Sequence, residues 1–313
     1  MAGGSTRAIV AAMVANGGIA VAKFVAFGVT GSASMLAEGI HSVADTSNQG
    51  LLLLGGRRAK REATPAHPFG YGRERYFWSF VVALVLFTLG GLFALYEGWE
   101  KIRHPHEVTS VGWAVGVLVF AIVIESLSFR IAIQESNTVR GDRTWSQFIR
   151  TAKTPELPVV LLEDAGAMFG LVLALFGVTM TLVTGEPVWD GIGTLAIGVL
   201  LVIIAAILTI EMKSLLLGES AGPEDRAGIV GALEASPGVV RIIHLRTQHL
   251  GPEELLVGAK VELEPGLSFR AVCDVIDAAE TRMREAVPAA RVIYLEPDVF
   301  DDGHVGAPDR LDH

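Results

Sequence analysis

Long apolar runs broken by short polar intervals organise the first two-thirds of the chain. Windows of about 20 mostly apolar residues, the length that crosses hydrocarbon, fall at 7–29, 34–56, 76–99, 109–133, 157–183 and 189–216. The pattern predicts six membrane-spanning helices. The first window is too long for a signal-peptide core and holds Asn16 and Lys23, so it reads as a retained span. After Leu217 the period changes. PEDRAGIVGALEA has helical spacing and SPG makes a turn. VVRIIHLRTQHL and ELLVGAKVELE alternate as strands joined at GPEE. SFRAVCDVIDAAETRMREAV is an amphipathic helix and ARVIYLEP a last strand. The order α-β-β-α-β implies a small ferredoxin-like α+β sheet with its helices on one face. The expected domains are a helical membrane bundle at 1–218, an α+β domain at 219–300 and a disordered tail at 301–313.

Composition and charge sharpen this division. The 313 residues are 51% hydrophobic and their mean hydropathy is +0.47, values that make an integral membrane protein the default. The net charge is −9, and residues 219–313, with 18 acidic and 9 basic side chains, account for all of it. A charge-balanced membrane part thus precedes an acidic, water-facing domain, and no basic footprint for nucleic acid exists. Two interhelical breaks are rich in bases: Arg57, Arg58, Lys60, Arg61, Arg73 and Arg75 in one, Arg140, Arg143, Arg150 and Lys153 in the other. The opposite breaks carry only Lys101 and Arg103, or none. The positive-inside rule then puts the rich loops, both termini and the acidic domain in the cytoplasm, with the protein in the cell (inner) membrane. The lone Cys273 excludes an intrachain disulfide and a Cys-based zinc motif, and it fits a reducing compartment.

The second and fifth spans break the apolar rule. MLAEGIHSVADTSNQG places Glu38, His41, Asp45 and Asn48 or Gln49 at steps of three and four, along one helical stripe. VVLLEDAGAMFG places Glu163 and Asp164 side by side in an otherwise apolar helix. Each ionisable group at mid-bilayer costs about 2.5–3.5 kcal/mol on insertion scales, so something must offset it. A bound dication does so, because its field keeps carboxylates ionised and paired. An imidazole with carboxylate oxygens suits Zn²⁺, with Co²⁺, Ni²⁺, Fe²⁺ and Mn²⁺ also compatible. His41, Asp45 and Asp164 are therefore the expected metal ligands. Glu163 points about 100° away from Asp164 and is open between ligand and a pairing elsewhere. Glu38, Asn48, Gln49 and Asn16 read as interhelical hydrogen-bonding groups. Lys23 is expected to snorkel or meet a carboxylate, and Glu125 in the fourth span to find a charged partner.

These motifs, with HPFGYGRER after span two and HLRTQHLGP in the tail, resemble in order those of the cation diffusion facilitators, divalent-metal/proton antiporters. AEGIHSVADTSNQ and LLEDAGA are most similar to the subgroup of the animal mitochondrial zinc exporter. The resemblance covers roughly residues 5–300. It implies a homodimer that exports a divalent metal, Zn²⁺ first, from the cytoplasm in exchange for protons by alternating access. Zn²⁺ is then the transported substrate and no cofactor is implied. In the family, span two and span five each supply two ligands one turn apart. His41 and Asp45 match the first pair and Asp164 the second member of the other, whose first member falls on Val160, a residue that binds no metal. Glu163, water or Asn48 is left to complete the tetrahedron. Where relatives have a loop histidine this chain has Tyr71, although His67 remains. The tail ligand positions fall on Ile243, Lys260, Val272 and Leu295, which predicts no metal cluster there and makes His244 and His249 ordinary strand residues.

Two other classes compete. An intramembrane metalloprotease needs HExxH or a second intramembrane histidine, and neither is present; the chain does not read as an enzyme. A non-transporting member acting as a membrane scaffold or dimer partner is the alternative that Val160 suggests.

Overall fold

A computed structural model describes residues 2–30, 33–104 and 111–300. Side chains at 33–41 and 44, with a few near other helix ends, lie outside that description. The expected tail at 301–313 lies outside the described residues altogether. The chain divides into two compact units, Met1–Arg61 with Glu74–Lys213, and Glu62–Arg73 with Ser214–His313.

The first unit is helical. Its elements are α1 (Ala2–Thr30), α2 (Ala33–Arg58), α3 (Glu74–Val85), a π-helical stretch (Leu86–Leu92), α4 (Phe93–Arg103), α5 (Val111–Arg140), the short α6 (Trp145–Thr151), α7 (Glu156–Thr184) and α8 (Val188–Leu217). Among the described residues, five stretches are long and apolar enough to cross a membrane: Thr6–Val25, Glu74–Arg103, Val115–Arg140, Glu156–Thr184 and Val188–Leu217. The expected second span is a helix of 26 residues. It is long enough, but Glu38, Asp45 and the polar groups between them hold it below the same hydropathy standard. Among the described residues, five of the six expected spans are thus apolar by composition, and α2 is the exception because of its polar groups.

Pro155 and Gly185 bracket α7. Gly185 ends the helix in the left-handed conformation at φ 74°, where a residue with a Cβ is strained. Thr144 and Gln147 cap α6 reciprocally in a capping box. Inside the unit, α1 packs on α2, α5 and α7, α5 packs on α7, and α2 packs on α3. α1 thus touches both helices that carry the acidic stretches, and α5 touches α7. Hydrocarbon gives helices little reason to associate, so close backbone approach matters. Gly98 of α4 shows it: a Cβ there would lie 2.5 Å from the amide nitrogen of Leu195 and 2.8 Å from its Cα.

The second unit follows the expected α-β-β-α-β order: α9 (Pro223–Glu234), β1 (Val239–Gly251), β2 (Glu254–Leu263), α10 (Phe269–Ala286) and β3 (Ala290–Pro297). β1 and β2 pair antiparallel, β2 and β3 parallel, and the strand order is β1-β2-β3. Alternate residues Leu255, Val257, Ala259 and Val261 of β2 face a core completed by Ile229, Leu233, Ala279 and Met283 of the two helices. Period-two burial on β2 and helical residues on that same side put both helices on one face, as expected. Residues 62–73 belong to this unit. Gly72 abuts the β1–β2 turn so closely that a Cβ would meet the Leu250 carbonyl oxygen at 2.8 Å. His67 and Tyr71 contact each other with ring centroids 4.6 Å apart, and the Tyr71 hydroxyl lies 3.3 Å from Thr64 Oγ1.

Replacing Gly98 by Ala forces α4 and α8 apart, because the nearest obstacle is backbone that cannot rotate away. The expected cost is about 1–3 kcal/mol of overpacking, read as a lower thermal midpoint of the detergent-solubilised protein. An unchanged midpoint contradicts the close crossing.

Candidate metal centre

Asp164 lies near one end of α7, eight residues after Glu156, and is completely buried. Its Oδ2 accepts a hydrogen bond from Ser128 Oγ of α5 at 2.9 Å. Its Oδ1 is buried with no hydrogen-bond partner among the described residues. Glu163, adjacent in sequence, leaves the helix in another direction and is also buried. Its Oε1 accepts from Asn48 Nδ2 of α2 at 3.1 Å, while its Oε2 has no such partner among the described residues. A neutral donor from a neighbouring helix thus holds one oxygen of each carboxylate, and the other oxygen is left for something else. Asp45 is half-buried on α2, one turn before Asn48 and Gln49. Glu163 interacts electrostatically with Asp45, Asp164 and Glu125.

The expected ligands fare differently. Asp45 of α2 and Asp164 of α7 each interact electrostatically with Glu163. The His41 side chain lies outside the described residues, as does that of Glu38. Among the described residues no three His, Cys, Asp or Glu side chains converge tightly enough to hold an ion. Glu163 has one partner in Asn48, which gives Asn48 the interhelical hydrogen bond expected of it. Gln49 does not follow: it is fully buried, yet neither amide atom has a hydrogen-bond partner among the described residues. Asn16 is buried in α1. Lys23 does not snorkel outward; it is buried, and its ammonium donates to Ser42 Oγ at 3.0 Å. Val160, one turn before Asp164, is wholly buried and offers no ligand atom.

Two features are not apparent from the sequence. Ser128 gives no sign of being the partner of Asp164, although its spacing of three from Glu125 places two polar groups on one face of an apolar helix. The other is Arg75, which counts as a loop base in the charge pattern. It sits in the first turn of α3, and its guanidinium grips the buried Glu156 at the start of α7 through both carboxylate oxygens, one of them at 2.8 Å. A bidentate pair of this kind fixes geometry as well as charge. In the second unit His244 is a half-buried β1 residue and His249 a buried one, its Nδ1 3.3 Å from the Gly251 carbonyl oxygen.

Comparison with known proteins decides the family. The cation efflux transmembrane domain matches residues 9–217, and the cation efflux protein cytoplasmic domain matches residues 221–298. The chain belongs to the cation efflux family. It is 33% identical over 277 residues to the mitochondrial proton-coupled zinc antiporter SLC30A9 of Mus musculus, a match that covers 88% of this chain and 49% of the relative. The Arabidopsis thaliana metal tolerance protein C4 is 27% identical over 260 residues, 82% of this chain and 57% of that protein. The cation-efflux pump FieF of Klebsiella pneumoniae is 26% identical over 289 residues, 92% of this chain and 91% of that one. The chain spans about half the length of the SLC30A9 relatives it matches. Family and apolar helices together make this cation efflux protein an integral membrane protein.

Substituting Asn48 by Leu removes the donor to Glu163 and leaves a buried carboxylate oxygen unanswered. That costs about 1–3 kcal/mol, measurable as a lower unfolding midpoint in detergent. An Asn48→Leu protein as stable as the parent rules out the interhelical bond as a support of the site.

Proposed function

We propose that the protein moves a divalent transition-metal cation, Zn²⁺ foremost, across the membrane in exchange for protons. The observation that carries this reading is Asp164. It is completely buried in the helical unit, one oxygen tethered by Ser128 and the other with no hydrogen-bond partner among the described residues. A purely structural carboxylate would have both oxygens satisfied, whereas a ligand keeps one back. Family membership supports the reading, as does the activity that names the SLC30A9 relatives, proton-coupled zinc antiport. His41 and Asp45 of α2 and Asp164 of α7 are the ligands we assign, with Glu163 in reserve beside them.

The chemistry follows from these residue types. Metal ligands must shed protons to bind, so metal and protons compete for one set of side chains. Histidine, with an unperturbed pKa of about 6.5, exchanges its proton within the range that the two faces of a membrane sample. With Val160 where relatives carry a second ligand, that exchange rests more heavily on His41. Alternating access then opens the loaded site to one face and the protonated site to the other. We place the basic loops, both termini and the α+β unit in the cytoplasm, so transport runs outward, and we assign the α+β unit the role of holding a homodimer.

The test is the purified protein in liposomes carrying a proton gradient and an internal zinc indicator. The expected result is zinc flux that follows the gradient and falls at least about a hundredfold in Asp45→Ala and Asp164→Ala. A wild-type protein that gives no flux with Zn²⁺, Mn²⁺, Fe²⁺ or Co²⁺ is a scaffold and overturns the proposal. Undiminished flux in Asp164→Ala overturns the assigned site.

A further inference from the structure

Glu125 is 1% exposed, in the middle of α5. Its Oε1 is buried with no hydrogen-bond partner among the described residues. One turn further along the same helix, Ser128 donates to Asp164, so the face that carries Glu125 is turned toward α7 at the depth of the candidate ligands. Glu125 interacts electrostatically with Asp164 of α7 and Asp45 of α2, and with Lys23 of α1. The first two are the carboxylates assigned above to the cation. We propose that Glu125 is a further ligand of the transported cation, supplying from α5 the donor that Val160 cannot supply from α7. The inference rests on the transport reading and extends it to a third helix.

Physical chemistry favours this over a purely structural role. A glutamate that served only to neutralise Lys23 would gain nothing from lying beside two other carboxylates, which repel it in a medium of low dielectric. Lys23 already has a neutral acceptor in Ser42. Acidic groups around one point repel one another unless a proton or a cation comes among them, and a site that trades protons for a metal takes each in turn. Among the described residues the carboxylates do not yet form a closed shell. No hydrogen bond among the described residues engages Oε1 of Glu125. A donor set of one imidazole with three carboxylates is still one that a first-row divalent ion accepts.

The experiment compares the wild-type chain with Glu125→Gln, Glu125→Asp, Lys23→Met and the double variant Lys23→Met/Glu125→Gln. Zn²⁺ flux in liposomes gives KM and the maximal rate, and calorimetry in detergent gives Zn²⁺ affinity without transport. Glu125→Gln is expected to raise KM and weaken Zn²⁺ binding about tenfold or more, the scale on which neighbouring groups already act on metal sites. Glu125→Asp, which keeps the charge on a shorter arm, should fall between the two, and its affinity decides the matter if the Gln variant does not fold. The double variant should remain as impaired as Glu125→Gln. Unchanged affinity in Glu125→Gln overturns the inference, as does recovery of wild-type KM in the double variant, which would make Glu125 the counter-charge of Lys23. If wild-type protein binds Zn²⁺ but carries no flux, the transport reading fails and the calorimetric comparison still decides the role of Glu125. If it binds no Zn²⁺ at all, both fall.

Discussion

A carboxylate between apolar helices must have its oxygens answered, because neither water nor backbone is there to do it. This constraint shapes the helical unit. Asp164 and Glu163 occupy neighbouring positions on α7, and each has one oxygen met by a neutral donor from a different helix, Ser128 on α5 and Asn48 on α2. Hydrogen bonds from neutral donors hold a carboxylate in place without discharging it. The remaining oxygens have no hydrogen-bond partner among the described residues, and the proposed transport reading gives them to the cation. α1 packs on α2 and α7, and α5 on α7; from α5, Ser128 supplies the donor that Asp164 takes.

The polar network also joins helices of the first unit to one another. Ser128 ties α5 to α7, Asn48 ties α2 to α7, and Arg75 with Glu156 ties α3 to one end of α7. α7 is thus the hub. Hydrogen bonds and ion pairs that join discrete helices have discrete arrangements, which suits a two-state switch better than graded deformation would. Within the other unit, residues 62–73 seat Gly72 against the β1–β2 turn with no room for a side chain. That loop lies between α2 and α3 in the sequence.

Much of this is legible in one dimension. Apolar windows locate the long helices because hydrocarbon demands about 20 apolar residues whatever the partners. Period-two and helical alternation locate α9 to β3 because one face of each element has to be buried. The acidic pair at 163–164 stands out because charge is rare in such runs. α2 is legible as a helix for the opposite reason, its regular spacing of polar groups, and that same polarity keeps it out of the apolar set.

What the chain alone determined is which residues lie inside and on which face of their own helix, since both follow from local periodicity and the cost of burying charge. What only the tertiary structure decided is pairing: that Asn48 takes Glu163, that Ser128 rather than another hydroxyl holds Asp164, that Lys23 turns inward to Ser42, and that Arg75 is committed to Glu156. The physical reason is that a hydrogen bond needs two atoms within about 3 Å. Helical periodicity states the direction of a side chain but says nothing of which helix stands opposite, at what height, or in what rotation.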